Sequence, residues 1–205
     1  MATSETVGPM GTARMRADAR RNRESILAAA REVFSKYGME AQMDEIARRA
    51  GVGVGTLYRH FPTKDELVGE LIDIKLRDFA ARARAKFEED QRPWESFADL
   101  LREQNEIASR DASQQRMIFA MTPEALEKAA PTVAELTAVT QAFIDRAKAA
   151  GEVREDLVVD DIRTLMCGLG SIMAADALGV MTYDWRRLLE FTLEGMRGCP
   201  PPEDR

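Results

Sequence analysis

Two cysteines, Cys167 and Cys199, and one histidine, His60, are all the thiol and imidazole chemistry in the 205 residues. Zinc sites of thiolates and imidazoles need more ligands than that, and a Ser-His-Asp triad or Cys-His dyad would have to use His60 as its base. No catalytic residue, metal ligand or cofactor is therefore expected. β-Branched residues are scarce as well: 20 Val and Ile stand against 57 Ala, Leu and Met. That balance favours helices and disfavours an all-β or parallel-sheet fold. Long apolar runs are missing too, since no stretch approaches the roughly 18 residues of a membrane span. Met1 to Arg14 is rich in Gly, Ser and Thr and has no apolar signal segment. A soluble, cytoplasmic protein without membrane contact is the expectation.

What is present is charge, unevenly spread. The net charge of −6 and a pI near 5.1, taken alone, argue against a polyanionic partner. Residues 1–65, however, hold 11 Lys and Arg against 8 Asp and Glu, whereas residues 66–205 hold 18 against 27. The acidity thus belongs to the second part. Arg14, Arg16, Arg20, Arg21 and Arg23 crowd ten positions whose only acid is Asp18. They form either a basic arm or a plain solvated tail.

Periodicity divides the chain into two unlike helical units. Ile26, Leu27, Ala30, Val33, Phe34 and Tyr37 trace one face of a helix that stops at Gly38. A short helix from Met43 to Ala50, a turn at Gly51 to Gly53 and a helix from Val54 to Phe61, stopped by Pro62, complete a small unit. Thr63 to Glu66 then reads as a capping box opening a long connector helix with two apolar stripes. Pro93 is placed to start the next helix, and another is expected from about Ser113 to Met121. Thr122-Pro123-Glu124 reads as the start of one that Pro131 kinks or restarts and Gly151 ends. Two more cover about Asp160 to Leu178 and Asp184 to Arg197. The expectation is an all-α protein of about nine helices. Its parts are a flexible basic arm over 1–17, a small head over 18–62, a larger bundle over 63–198 and a flexible tail over 199–205.

Residues 43–61 carry the most specific signal. A helix-turn-helix needs a small residue where its helices touch, a turn residue tolerant of positive φ, and apolar plugs on either side. Ala47 meets the first need and Gly51 the second, with Ile46, Ala50, Val52 and Leu57 as plugs. Together with Ile26 to Ala30, Phe34, Gly38 and the run Gly51-Val52-x-x-Gly55-Thr56-Leu57-Tyr58-x-His60-Phe61, this segment resembles the TetR/AcrR-type transcriptional regulators. The resemblance is strong over about residues 20–70. Beyond, only architecture transfers: it implies a helical bundle that binds a small effector and dimerises through its last two helices.

Two positions depart from the family's habit. Gly53 stands where a capping Ser is common, and Val54 stands where Lys, Arg or Pro is common. Val54 cannot bond a phosphate but could touch a thymine methyl. Arg59 is the group here able to fork onto guanine O6 and N7, or alternatively to clamp a phosphate. The resemblance assigns phosphate contacts to Tyr58, His60 and Lys64, while Gly55 and Thr56 lack the bulk to keep the backbone from the groove.

In the second unit, Phe97, Gln104, Met117, Met121, Thr140, Phe143 and Met166 could line an adaptable pocket for an apolar or amphipathic effector, with Asn105 and Thr137 as further polar contacts; plain core is the alternative. Gly168 and Gly170 inside a helix ask for a close neighbour. Ile162, Leu165, Gly168, Leu169, Ile172, Trp185, Leu188 and Leu189 are the candidates for a homodimer interface, against packing within one chain. The function implied is a regulator, a repressor by resemblance, that binds a near-palindromic duplex and leaves it when an effector binds. Two rivals remain: a helical interaction protein without DNA binding and an enzyme. The enzyme reading is thin, because Gly51-x-Gly53-x-Gly55 follows no strand and Asp160-Asp161 read as helix caps.

Overall fold

The computed structural model describes residues 9–89, 92–110, 122–177, 179 and 182–198. Among these the chain forms eight α-helices and no strand. They are α1 (Pro9–Tyr37), α2 (Met43–Ala50), α3 (Val54–His60), α4 (Lys64–Glu89), α5 (Pro93–Ser109), α6 (Pro123–Ala149), α7 (Val159–Ala177) and α8 (Trp185–Gly195). A single 3-10 turn, Gly38–Glu40, follows α1. The helix expected from Ser113 to Met121, with Met117 and Met121, and the tail 199–205 lie outside the described residues. No described helix is long and apolar enough to cross a membrane.

The chain separates into two compact units, Met1–Leu67 and Val68–Arg205. The first holds α1, α2, α3 and the opening turn of α4. Ile26, Leu27, Ala30, Val33 and Phe34 bury the face of α1 that their spacing marks out. The segment expected as a flexible arm is helical from Pro9 onward. Ala and Arg are strong helix formers, Pro suits a first helical position, and Arg21 pairs with Asp18 one turn back.

The second unit packs around Trp94, Phe97, Leu100, Leu101, Phe143 and Ile144, all buried. Phe97 and Phe143 stack at 4.9 Å, and Phe87 meets Phe143 edge-on at 5.0 Å. α6 starts as expected, its Thr122 hydroxyl accepting the Ala125 N–H. It neither stops nor restarts at Pro131, which lies inside one continuous helix. Pro131 is exposed, so water can take the carbonyl that its missing N–H leaves over.

α5 and α8 run antiparallel and are joined by an ion-pair ladder. Glu95 pairs with Arg197, Arg102 with Glu190 through two bonds of 2.8 Å, and Glu106 with Arg186 through bonds of 2.6 and 2.8 Å. The steps match on both sides, as an antiparallel register requires. Arg102 holds the Glu190 carboxyl below its ordinary value of 4.5, and Arg186 does the same for Glu106. A carboxyl whose pKa falls on folding adds stability that is complete above pH 4.5 and is lost as pH drops through the lowered value. Glu190→Gln is therefore expected to lower the urea midpoint at pH 7 and to flatten its decline in acid. An acid profile that Glu190→Gln leaves unaltered would count against this pair.

Candidate nucleic-acid interface and effector cavity

α2 and α3 form the helix-turn-helix from local rules. Gly51 sits at φ 69°, ψ 28°, the left-handed conformation that stops α2, and the Val52 N–H reaches back to the Ala47 carbonyl at 3.1 Å. That is the Schellman closure, which a Cβ at position 51 would strain. Ile46, Ala47 and Leu57 are fully buried, so these residues and Gly51 occupy the places their spacing predicts. Phe61 closes the base of α3 and carries the Arg23 guanidinium 5.6 Å above its ring.

Two of the arginines on this surface are matched by acids. Arg48 forks onto Glu45 at 2.9 and 2.5 Å, holding that carboxyl below its usual range, and Arg49 donates to Glu32 at 2.7 Å. α3 differs. Val54, Gly55, Tyr58 and Arg59 are exposed on one face, with Thr56 and His60 half-buried beside them. Arg59 folds along its own helix, donating to the Gly55 carbonyl at 3.3 Å and the Thr56 hydroxyl at 2.9 Å, and it pairs with no carboxylate among the described residues. Its charge is thus held in place yet unneutralised. Lys64 is placed otherwise: its ammonium donates to the Met39 carbonyl and lies 5.9 Å over the Phe34 ring. It would have to release Met39 to meet a phosphate.

α3 lacks a side-chain cap, as Gly53 implies. Position 53 has φ −67°, ψ 144°, open to any residue, and a Cβ there would meet only Thr56 Oγ1 at 3.9 Å. Gly53→Ser is expected to stabilise the head by about 0.5–1 kcal/mol, through the new cap and a stiffer unfolded chain. Thermal unfolding checks this, and a lower melting temperature would refute it.

The second unit holds a partly open cavity of about 310 Å³ between α4, α5, α6 and α7. Phe97, Gln104, Thr140 and Met166 line it, as do Asn105 and Thr137. Phe143, another pocket candidate, is instead core: it stacks behind Phe97 and does not reach the cavity. Sequence reading missed the α4 wall of Ile72, Lys75, Leu76 and Phe79, whose i, i+3, i+4, i+7 spacing was the available signal. Arg163, Cys167 and Gly170 on α7 were missed too, for want of any such pattern.

Residues 26–71 match the family model for bacterial regulatory proteins of the tetR family, and residues 92–198, just over half of the chain, match that of the SbtR-like transcriptional regulator C-terminal domain. A TetR transcription regulatory protein from Mycobacterium vanbaalenii is 30% identical, with a TM-score of 0.58 over 89% of this chain and 99% of its own. This chain belongs to the TetR family of transcriptional regulators. An HTH-type transcriptional regulator of Staphylococcus aureus (strain USA300) shares 46% identity over 54 residues, 26% of this chain; the match spans 29% of that relative's length. FadR from Bacillus subtilis, solved with stearoyl-CoA, is 22% identical with a TM-score of 0.67, over 83% of this chain and 95% of its own, a likeness of fold. Membership makes the chain a transcriptional regulator with a DNA-binding helix-turn-helix, not an enzyme. In keeping with this, Asp161 accepts the Val158 N–H at 2.9 Å as a helix cap.

Within this TetR-family chain, the interface candidates on α7 and α8 fall in two environments. Ile162, Leu165, Leu169, Trp185 and Leu189 are buried in the chain's own core, in one cluster with Leu100, Leu101 and Phe143. They have little left to offer a partner. Of the eight candidates, Gly168 and Leu188 are exposed and Ile172 is half-buried. A Cβ at Gly168 would meet nothing within 4 Å among the described residues, so none of them explains that glycine.

Proposed function

We propose that the protein is a repressor that binds a near-palindromic operator as a homodimer and is released when a small apolar or amphipathic molecule fills the cavity. The observation that carries this is the exposed face of α3, where Arg59 is cationic and without a carboxylate partner among the described residues. We assign base readout to Arg59 and phosphate contacts to Tyr58, His60 and Lys64, with Val54, Gly55 and Thr56 facing the groove. The head, about residues 18–62, carries this surface, and the bundle over 63–198 carries effector and partner. The arginines of the N-terminal segment add attraction for phosphates. Two heads are required because one seven-residue helix spans too few base pairs, so half-sites should lie about 34–36 Å apart.

Support for an effector comes from the partly open, mostly apolar cavity, and from a neighbour of the same fold that was solved with stearoyl-CoA. Effector and operator would then weaken each other's binding. Selection from random duplexes at low salt tests the reading. The expected result is an enriched near-palindrome whose affinity falls steeply with salt, because the basic surface is local and the rest of the chain is acidic. Absence of any enriched site would overturn it in favour of a helical interaction protein.

A further inference from the structure

The cavity is mostly apolar, and besides Lys75, Arg163 and Thr137 nearer its rim its lining holds a small, deeply buried polar cluster. Gln104, Asn105 and Thr140 are 7%, 2% and 6% exposed, and all three line it. Buried polar atoms facing hydrocarbon are costly unless something bonds them. The bonds they already make determine what they can still offer.

Arg82 donates to Gln104 Oε1 at 2.5 Å. An arginine has only donors, so the amide carbonyl must face it, and Gln104 Nε2 bonds no described residue. Asn105 is turned the other way. Its Nδ2 donates to the Leu101 carbonyl at 2.8 Å and to Met166 Sδ at 3.4 Å, which uses both protons and leaves Oδ1 as an acceptor. Thr140 Oγ1 makes no hydrogen bond to a described residue, and a hydroxyl both donates and accepts. The cluster therefore presents a donor, an acceptor and an amphoteric hydroxyl.

None of the cations nearby is free, although Arg82 Nη1 makes no hydrogen bond to a described residue. Arg82, behind Gln104, lies 3.3 Å from Asp78 and 3.6 Å from Glu103. Arg163 is 55% exposed, pairs with Asp160 at 3.1 Å and donates to Thr137. Lys75, the other cation on the lining, is half-exposed. A carboxylate at the cluster would be buried without a cation of its own and would confront Asn105 Oδ1.

We infer that the cavity takes an uncharged amphiphile, an apolar body bearing one hydroxyl or carbonyl group, whose oxygen accepts from Gln104 Nε2 beside Thr140 and Asn105. A ligand hydroxyl would also donate to Asn105 Oδ1. This rests on the reading of the cavity as the effector site. It narrows an apolar or amphipathic class to neutral members.

Titration calorimetry of the full-length protein at pH 7.5 with decan-1-ol, decan-2-one, decanoate and decane tests it. The alcohol and the ketone are expected to bind at least about tenfold more tightly than decanoate, each hydrogen bond being worth about 0.5–1.5 kcal/mol and an unpaired buried charge costing more. Gln104→Leu and Thr140→Val, near-isosteric changes, should each lower affinity for the alcohol by about 2- to 12-fold and leave affinity for decane unchanged. A thermal melt of each variant monitors the fold. Decanoate binding as tightly as the alcohol, or variants that keep the preference, would overturn the neutral-ligand inference while leaving the effector site standing. If none of the four binds, the effector-site reading itself fails.

Discussion

Exchanging both Leu188 and Phe191 for glutamate is expected to leave a folded monomer with operator affinity reduced by two orders of magnitude or more. α8 turns Trp185, Leu189 and Leu193 into its own core and leaves Leu188 and Phe191, three residues apart on the opposite face, 41% and 63% exposed. The Arg187 guanidinium lies 4.8 Å over the Phe191 ring. We assign this face to the contact between copies in the proposed dimer, with the open position at Gly168 on α7 allowing close approach. Glutamates there would be desolvated next to their own symmetry mates. A monomer presents one recognition helix, and the loss of the second half-site accounts for the drop in affinity. Both positions are exposed in the single chain, so stability should change by less than about 0.5 kcal/mol. Sedimentation velocity and a shift assay on the selected duplex read the two effects. A double variant that still sediments as a dimer would place the interface elsewhere.

Arg59→Ala is expected to cost about 1–3 kcal/mol of operator binding, roughly 5- to 150-fold, and to relax preference at one or two base positions. Arg59 is the single long cation on the exposed face of α3, and its bonds to the Gly55 carbonyl and Thr56 hydroxyl hold it against the helix. On DNA those weak local bonds can be exchanged for the fork onto guanine. Tyr58→Phe makes the contrast: a phosphate donor is lost, so affinity should fall evenly across sequences. Repeating the duplex selection with each variant separates the roles. Should Arg59→Ala weaken all sequences equally, Arg59 is a phosphate clamp, the alternative its chemistry allows.

Much of the reading head was legible because its determinants lie within some twenty residues of one another. Ile46, Ala47, Gly51 and Leu57 are set by helix period and by one left-handed turn, both local rules. The bond of Lys64 to Met39 was not legible, since that carbonyl is 25 residues away and contributes nothing to the local pattern. The cavity was half legible. Polar residues among apolar helical positions singled out Gln104, Asn105, Thr137 and Thr140, yet Phe143 shares the spacing of Phe97 and faces the core instead.

By itself the sequence determined the all-helical class and the helix-turn-helix, because propensity, capping and periodicity act over one or two turns of chain. Only the tertiary structure decided which apolar stripe of α7 and α8 is core and which is left for a partner. The same holds for the direction of the Gln104 and Asn105 amides and the matching of Glu95, Arg102 and Glu106 with Arg197, Glu190 and Arg186. A helix with apolar residues on two faces can bury either one, and an amide can point either end inward. The choice is made by neighbours that lie dozens of residues away in the chain and a few ångströms away in space.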